Sequence, residues 1–325
     1  MLSKGMTDVY APSDVTARAV VVTYCSGPFL DSLVASIPAA STRTVPLTVV
    51  DNASTDETVE HVANQEAIQL ICSERNLGYG GAANLGVRAS SEDWIIIANA
   101  DVRFKPGAID AMLEAASRWP RAGLLGPQLL TPDGRVYPSA RELPSLGRGI
   151  AHAVFGWWWP TNPWTAGYRR EREDPTERLA GWLSGACLLV RREAFESVGG
   201  FDESYFMYFE DTDLCERLWA AGWDIVYAPS AVVEHHGGHS TSRNLALMSK
   251  AHHDSAYRYL SRHYPGPMQA PLRWLLKAGL LGRYQLSRRV SSVAHGAQPT
   301  RRRPPRPDRT GSEQLGLTGH HGAAG

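Results

Sequence analysis

The sequence predicts an α/β fold with a mostly parallel central sheet. Short apolar, often β-branched runs recur through the first hundred residues, and segments with helical spacing separate them. Strands that alternate with helices in this way are typical of parallel sheets. Ligands of such sheets bind beyond the carboxyl ends of the strands. We therefore expect a binding site near three polar residues at predicted strand ends: Thr23, Asp51 and Asp101.

The elements of the first half follow from hydrophobic periodicity. Residues 1–17 are polar and turn-rich, and we expect them to be flexible. Four apolar runs predict strands over 19–24, 47–50, 68–72 and 94–98, and we expect the first two to be buried. Helical spacing, and in the second case a polar, acidic start, predicts helices over 29–37, 54–62 and 82–89.

The second half begins with a segment that lacks a clear period. Residues 127–178 are rich in Pro, Gly and Arg, and we expect a long functional loop or lid there. This segment contains a tryptophan cluster: Trp157, Trp158, Trp159 and Trp164. Regular patterning then predicts a strand over 182–190, a helix through Phe195, a helix over 214–221 and a strand over 225–227. The chain thus divides into a first half (18–126), the lid and a second half (179–264).

Composition bears on the cellular setting. The four cysteines have no C-x-x-C spacing, and no secretory signal pattern opens the sequence, so we expect buried thiols in a reducing compartment. No apolar stretch approaches the roughly 20 residues of a membrane-spanning helix, so we expect any membrane contact to be peripheral.

The net charge of zero conceals an uneven distribution. Residues 273–309 hold ten Lys and Arg and one acid, and the rest of the chain holds 23 basic and 32 acidic residues. A basic tail on an acidic body favours an anionic partner for the tail alone. An apolar-basic helical segment with Trp274, which we place at 265–290, is typical of a membrane interface. Packing of this segment on the protein core is the alternative. We expect no nucleic-acid partner, and we expect residues 291–325 to be disordered.

Acidic residues that could carry chemistry occur at two further points. Asp101 is a hard oxygen ligand of the kind that Mg²⁺ or Mn²⁺ prefers, although such a residue can also simply close a turn. Glu210, Asp211 and Asp213 crowd the start of a helix, which favours at least one perturbed pKa; helix capping is the structural alternative. Histidines 235, 236 and 239 lie in a glycine-containing loop that could supply a metal ligand.

In chain order these segments resemble family 2 glycosyltransferases over roughly residues 18 to 260. The motifs are Val49–Asp56, Arg75–Gly80, Asn99–Asp101, Phe206–Asp213 and the loop at His235. Within that family, further segments resemble rhamnosyltransferases of mycobacterial cell-wall linker synthesis: Arg118–Pro120, Tyr137–Arg141, Asn162–Trp164, Trp182–Gly185 and Ala270–Trp274. The resemblance implies a GT-A type nucleotide-sugar fold, with the donor bound by the first half and the acceptor by the second.

The resemblance also implies roles for individual residues. Thr23, Asp51 and Asn76 would contact the nucleotide, and Asp211 would be the general base of an inverting transfer. Asp101 and His235 would bind a divalent metal, Mn²⁺ or Mg²⁺. Asn99 stands where the family's metal motif has its first acid, and we place it among the donor-binding residues.

The implied substrates are dTDP-L-rhamnose as donor and polyprenyl-diphosphate-GlcNAc as acceptor, in arabinogalactan linker synthesis. The implied location is the cytoplasm, at the inner face of the plasma membrane. Three alternatives stay open. They are a family 2 enzyme with another nucleotide-sugar or acceptor, a sugar-1-phosphate nucleotidyltransferase, and a non-catalytic carbohydrate-binding protein. The nucleotidyltransferase would need a basic loop after the first strand, where this chain has residues 25–28 without a base.

Overall fold

The computed structural model describes residues 16–143, 175–237 and 245–296, with the side chains of the last segment described from 247 to 285. The chain divides into two units, Met1–Tyr284 and Gln285–Gly325. The central sheet and the cavity described below belong to the first unit.

Four parallel strands form one side of a mixed sheet. They lie in the order β3-β2-β1-β4. The strands are β1 (Ala17–Thr23), β2 (Leu47–Asp51), β3 (Ile68–Cys72) and β4 (Trp94–Asn99). The helices between them are α1 (Gly27–Ala40), α2 (Glu60–Ala63) and α3 (Gly78–Arg88).

The other side of the sheet is mainly antiparallel. From β4 the order continues β11-β6-β12-β5, and only the β6–β12 pair in this half is parallel. The strands of this side are β5 (Val102–Phe104), β6 (Ala122–Leu130), β7 (Val136–Tyr137), β9 (Arg178–Leu179), β11 (Cys187–Arg191) and β12 (Asp224–His235). Strands β8 (Ala140–Arg141) and β10 (Trp182–Leu183) form a separate two-stranded sheet. The helices are α4 (Ala108–Arg118), α5 (Arg192–Ser197), α6 (Glu210–Ala220), α7 (Leu245–Arg262) and α8 (Ala270–Gly296).

Helices cover both faces of the sheet, which explains why its strands are apolar without alternation. Along β1, Ala19 and Val21 enter one core with α1 and α4. Val20 and Val22 enter a second core with α3 and α6. The α/β fold with mostly parallel strands in its first half is confirmed.

Several predicted elements differ from the structure. The predicted strand over 182–190 is interrupted at 184–186, and its two parts, β10 and β11, belong to different sheets. The predicted helix over 54–62 shrinks to α2, because its first residues form turns instead. Asp56 accepts hydrogen bonds from the backbone N–H and hydroxyl of Thr58, and that hydroxyl oxygen accepts from the N–H groups of Ser26 and Gly27. Such side-chain bonds compete with helix formation.

The first residues of the predicted lid form strands that the sequence did not predict. Residues 127–130 complete β6, which pairs with β12, and a hairpin joins β6 to β7. Because β6 pairs with a strand about 100 residues away, the pairing leaves no local periodicity in the sequence. Strand β6 could therefore not be predicted from periodicity. Residues 144–174 of the predicted lid, including the four tryptophans, lie outside the described residues.

Candidate active site

A cavity of about 960 Å³ opens beyond the carboxyl ends of the parallel strands. Residues at or just after the ends of β1, β2, β4 and β12 line one part of it: Tyr24–Ser26, Asn52, Asn99–Asp101 and His235–Gly237. The turn after β10 and the loop before α6, with the first turn of that helix, line another part: Ser184–Ala186 and Phe206–Thr212. The position agrees with the strand-end prediction and with the general rule for ligand sites in such sheets.

Thr23 and Asp51 lie side by side beneath this cavity. They are paired in the β1–β2 register and are 1% and 3% exposed. One carboxylate oxygen of Asp51 accepts from the Ser54 N–H at 3.1 Å. The other oxygen and the Thr23 hydroxyl are buried without a hydrogen-bond partner among the described residues. Because unpaired buried polar atoms are costly, these two atoms fit the expectation of a polar ligand. The cavity wall itself is formed by their neighbours Tyr24 and Asn52 rather than by these two side chains.

Asn76 is held at the cavity by a small amide network. Its side-chain oxygen accepts from the Asn52 side-chain amide at 3.0 Å and from the Gly78 N–H at 2.9 Å. The Asn52 side chain in turn donates to the Gly78 carbonyl and accepts from the Leu77 N–H at 2.7 Å. Asn52 therefore fixes the start of α3 against the end of β2. The sequence argument had given this residue no role, although it follows Asp51 directly.

Asp101 and His235 converge although 134 positions separate them. Asp101 stands just before β5 and His235 ends β12, and the antiparallel β5–β12 pairing brings the two together. The His235 Nε2 lies 3.3 Å from the Asp101 carboxylate and 3.5 Å from the Asn99 amide nitrogen. All three side chains line the cavity. Oxygen and imidazole donors from two residues leave most positions of a hard divalent cation to substrate oxygens and water, as is usual for Mg²⁺ at phosphates.

The other predicted metal-loop histidines do not join this pair. His236 packs edge-on against Phe29, with ring centroids 5.3 Å apart, and its Nε2 lies 3.8 Å from Glu234. His239 lies outside the described residues. No cluster of three or more His, Cys, Asp or Glu side chains fit to hold a metal occurs in the described segments.

Asp211 lies in the first turn of α6 and lines the same cavity. Tyr208 and Phe209, which precede this helix, have left-handed φ angles of 69° and 67°. Such strain in bulky residues is maintained only by surrounding contacts and is common at functional sites. The Asp211 carboxylate accepts from the Gly185 N–H at 2.9 Å and from the Thr212 N–H at 2.7 Å. It is therefore oriented by two backbone groups.

Burial shapes the charge of the acid pair. Burial and the nearby Asp211 charge raise the pKa of Glu210 to about 8, so Glu210 holds a proton at neutral pH. Burial also raises the pKa of Asp211, while hydrogen bonds from Gly185 and Thr212 and the charge of Arg141 lower it. A raised pKa makes a carboxylate a stronger base, which suits Asp211 to accept a proton.

Tyr79 is a further site residue that sequence reasoning missed. Its hydroxyl donates to the Gly185 carbonyl, and the N–H of the same glycine donates to Asp211. Burial, and then the charges of nearby acids including Glu210, raise the pKa of Tyr79. A side chain on Gly185 would place a Cβ 3.3 Å from that of Asp211. Only the Arg75–Gly80 motif pointed to Tyr79, because residue 185 is 106 positions away.

Comparison with known proteins gives a consistent result. The model of "Glycosyl transferase family 2" matches residues 19–199, and that of "N-terminal domain of galactosyltransferase" matches residues 173–238. The chain is 52% identical over 284 residues to the N-acetylglucosaminyl-diphospho-decaprenol L-rhamnosyltransferase of Mycobacterium tuberculosis, with 84% of this chain and 92% of that protein covered.

More distant relatives extend the comparison. A dTDP-rhamnosyl transferase of Shigella flexneri is 28% identical over 67% of this chain and 68% of its own length. The fold is similar to that of a mannosyltransferase from Pyrobaculum calidifontis, solved with GDP-mannose and Mn²⁺. That likeness has a TM-score of 0.52 and 16% identity, and it covers 88% of this chain and 81% of the other. The GT-A type fold is thereby confirmed.

Proposed function

Because the chain belongs to glycosyltransferase family 2, we propose that it transfers L-rhamnose from dTDP-L-rhamnose to N-acetylglucosaminyl-diphospho-polyprenol. The observation that carries this proposal is the likeness to the mycobacterial rhamnosyltransferase, which spans most of both chains. The dTDP donor draws further support from the Shigella flexneri relative. The cavity brings together the side chains that such a transfer needs, because Asn76, Asn99, Asp101, His235 and Asp211 all line it.

The donor nucleotide lies against the strand ends in this proposal. Thr23 and Asp51 offer buried polar atoms, and Asn76 and Asn99 offer side-chain amides at the rim. These groups can satisfy the polar edges of a base and the ribose hydroxyls. A bound nucleotide would thereby relieve the cost of the unpaired Thr23 and Asp51 oxygens.

Asp101 and His235 are the residues that would hold a divalent metal, Mn²⁺ or Mg²⁺. The carboxylate oxygen and the Nε2 face one point of the cavity wall, and metal binding requires the His235 tautomer that carries its proton on Nδ1. When bound, the metal neutralises charge that develops on the leaving diphosphate. Asp101 and His235 would thereby hold the donor diphosphate in the cavity that Asp211 also lines.

Asp211 acts as the base of a single in-line displacement. The acceptor hydroxyl oxygen attacks C1 of rhamnose, and the bond from C1 to the diphosphate oxygen breaks with inversion. The hydroxyl proton passes to the Asp211 carboxylate, and dTDP leaves with the bonding electron pair. General base catalysis of this kind contributes about 10²–10⁴ in rate. Gly185 and Thr212 orient the carboxylate for this transfer.

The test is a transfer assay with purified protein. A panel of dTDP-, UDP- and GDP-sugars is offered with GlcNAc-diphospho-polyprenol and Mn²⁺ or Mg²⁺, and the products are identified by mass spectrometry. We expect the mass of one deoxyhexose to be added only from dTDP-L-rhamnose. Efficient transfer of another sugar would support instead a family 2 enzyme with a different donor. No transfer to this acceptor would support a family 2 enzyme with a different acceptor.

We further propose that the protein works in the cytoplasm, at the inner face of the plasma membrane. Within the described residues no helix has the length and apolar character to span a bilayer. Helix α8 carries apolar side chains on two of its sides, one half-buried and one exposed. Leu272, Leu276 and Leu280 are half-buried at four-residue spacing, whereas Trp274 and Leu275 are each 71% exposed.

The exposed side of α8 fits a lipid interface. Met268 just before the helix is 91% exposed, and Leu281 within it is 51% exposed. Apolar and aromatic side chains beside basic residues favour insertion between anionic headgroups. The predicted packing of this segment on the core also has support, because Tyr284 lies 5.6 Å from the His253 ring of α7. One side of α8 packs on α7, and the other is the side we assign to the membrane.

A further inference from the structure

Arg141 lies on the cavity wall without a role in the mechanism above. It belongs to β8, opposite Trp182 of β10 in an antiparallel pair. Its guanidinium carbon lies 5.2 Å from the Trp182 ring centroid and 5.7 Å from that of Tyr137. Its Nε donates to the Pro138 carbonyl at 2.7 Å. A guanidinium fixed by stacking and by a backbone bond loses little entropy when it binds an anion.

The cavity is otherwise poor in fixed positive charge. Among the described residues that line it, Arg141 is the only Lys or Arg, whereas the acids are Asp101, Glu210 and Asp211. The charge of Arg141 lowers the pKa of Asp211, so the two groups lie within electrostatic reach of each other. Arg141 is therefore a cation on the same side of the cavity as the base.

The proposed reaction brings two diphosphates into this cavity. The donor diphosphate leaves, and it has its own residues at Asp101 and His235. The acceptor diphosphate is not transferred, and one sugar ring separates it from the hydroxyl that attacks beside Asp211. Its charge needs a cation near the acidic wall, since unpaired anions are costly in a partly enclosed site. Arginine suits a diphosphate because its planar fork donates two parallel hydrogen bonds.

We propose that Arg141 binds the diphosphate of the acceptor, with Trp182 and Tyr137 holding the guanidinium in place. The assignment rests on the proposed function, because it takes Asp211 as the base that meets the acceptor. It adds a specificity determinant that selects diphosphate-linked GlcNAc over other GlcNAc glycosides.

The test compares short-chain GlcNAc acceptors that carry two, one or no phosphate groups. We expect Arg141→Ala to raise KM for the diphosphate acceptor by about 10- to 100-fold, the range for a lost charge-assisted hydrogen-bond pair. KM for the neutral acceptor should change by less than about two-fold, and the Kd of dTDP should be unaltered. Arg141→Lys keeps the charge but lacks the planar fork of N–H donors. Its KM for the diphosphate acceptor should therefore lie between those of wild type and Arg141→Ala. The control Arg135→Ala removes an 85% exposed arginine outside the cavity and should behave as wild type.

Two results would overturn the assignment. Equal losses on charged and neutral acceptors would make Arg141 a structural residue, and a matching loss of dTDP affinity would assign it to the donor. If Arg141→Ala does not fold, Arg141→Gln and Arg141→Lys give the same comparison. Wild-type turnover of the diphosphate acceptor reports on the proposed function separately, since it does not depend on any Arg141 variant.

Discussion

The two acids at the start of α6 have different roles because their environments differ. Glu210 is buried and the adjacent Asp211 is half-buried, yet only Asp211 accepts hydrogen bonds from Gly185 and Thr212. Hydrogen bonds to a carboxylate stabilise its ionised form, whereas burial alone stabilises the neutral acid. One residue therefore stays available as a base while its neighbour holds a proton.

Asp211→Asn should abolish turnover while leaving donor binding intact. The amide keeps the shape of the side chain but cannot accept the acceptor proton, so kcat should fall by about 10²–10⁴. The Kd of dTDP, measured calorimetrically with Mn²⁺, should stay within about two-fold of wild type. Asp202→Asn, in the preceding loop but outside the cavity wall, is the control and should retain activity. A parallel loss of dTDP affinity in Asp211→Asn would move this residue to the donor or metal site.

Removal of Asp101, a proposed metal ligand, should affect donor binding rather than proton transfer. Asp101→Ala should weaken Mn²⁺-dependent dTDP binding by about ten-fold or more, because a carboxylate oxygen is lost from the site. EDTA should reduce dTDP binding and transfer by wild type to a similar degree. Titration of Mn²⁺ with dTDP, followed by calorimetry, measures the binding directly. Full activity after thorough chelation would show that cationic side chains or helix termini stabilise the diphosphate instead.

Glu210→Gln should flatten the pH dependence of stability. In the unfolded chain the Glu210 pKa is 4.5, and in the folded protein it is about 8. Between these values only the folded state holds the proton, so rising pH lowers the free energy of unfolding by up to about 1.4 kcal/mol per pH unit. Glutamine cannot ionise and removes this contribution. Urea unfolding at about pH 5.5 and pH 7.5 should show a smaller difference for the variant than for wild type, and equal differences would contradict the buried protonated acid.

At the scale of elements, the start of α3 and the loop before α6 form one unit that positions the base. Gly78 has a φ of 76°, and a Cβ there would meet the Phe206 carbonyl oxygen at 2.2 Å. The next residue, Tyr79, donates its N–H to the same carbonyl at 3.1 Å. The tyrosine side chain then reaches Gly185, whose N–H orients Asp211. Two distant loops are thus joined by backbone contacts that only a glycine at 78 permits.

Tyr79→Phe should reduce kcat by about ten-fold with an unchanged KM for the donor, because loss of the hydroxyl frees the Gly185 peptide that orients the base. Weaker hydrogen bonding to Asp211 also raises its pKa further, so the acid limb of the kcat profile should move to higher pH. Tyr205→Phe is a matched control, since Tyr205 is buried and its hydroxyl has no hydrogen-bond partner among the described residues. An unshifted pH profile in Tyr79→Phe would leave the tyrosine only a packing role.

Local elements of this fold could be predicted from the sequence where a single physical signal dominates. The runs of β1 to β4 were found within two residues at each end because apolar side chains predominate in each of them. The helix over 54–62 was wrong because Asp56 accepts from the Thr58 N–H, and the Thr58 hydroxyl oxygen accepts from the Ser26 and Gly27 N–H groups. The β6–β12 pairing and the contact of Asp101 with His235 depend on distant segments, so the sequence offered only the residue types. Tyr79 and Arg141 were missed as site residues for the same reason.

At the scale of the whole molecule, charge and apolar surface lie at the same end of the chain. The tail at 273–309 carries ten of the 33 basic residues, and the exposed apolar side of α8 precedes most of them. Deletion of residues 272–309 would remove the packed side of α8 together with its exposed side. Point substitutions on the exposed side separate the two contributions.

Trp274→Glu and Leu281→Glu should weaken membrane binding without harming the catalytic unit. Each replaces an exposed apolar side chain by a charge that anionic lipid repels, and lost burial of about 1.5–3 kcal/mol per side chain corresponds to roughly 10- to 100-fold in vesicle affinity. Co-sedimentation with anionic vesicles should fall accordingly, and high salt should weaken wild-type binding by screening the basic tail. Activity on a short water-soluble acceptor should be unchanged, whereas activity on the polyprenyl acceptor in vesicles should fall. Ala89→Glu, at the exposed end of α3, adds the same charge elsewhere and should leave both activities as in wild type. If Trp274→Glu or Leu281→Glu lowers both activities in parallel, these side chains stabilise the fold, and the membrane assignment of α8 is wrong.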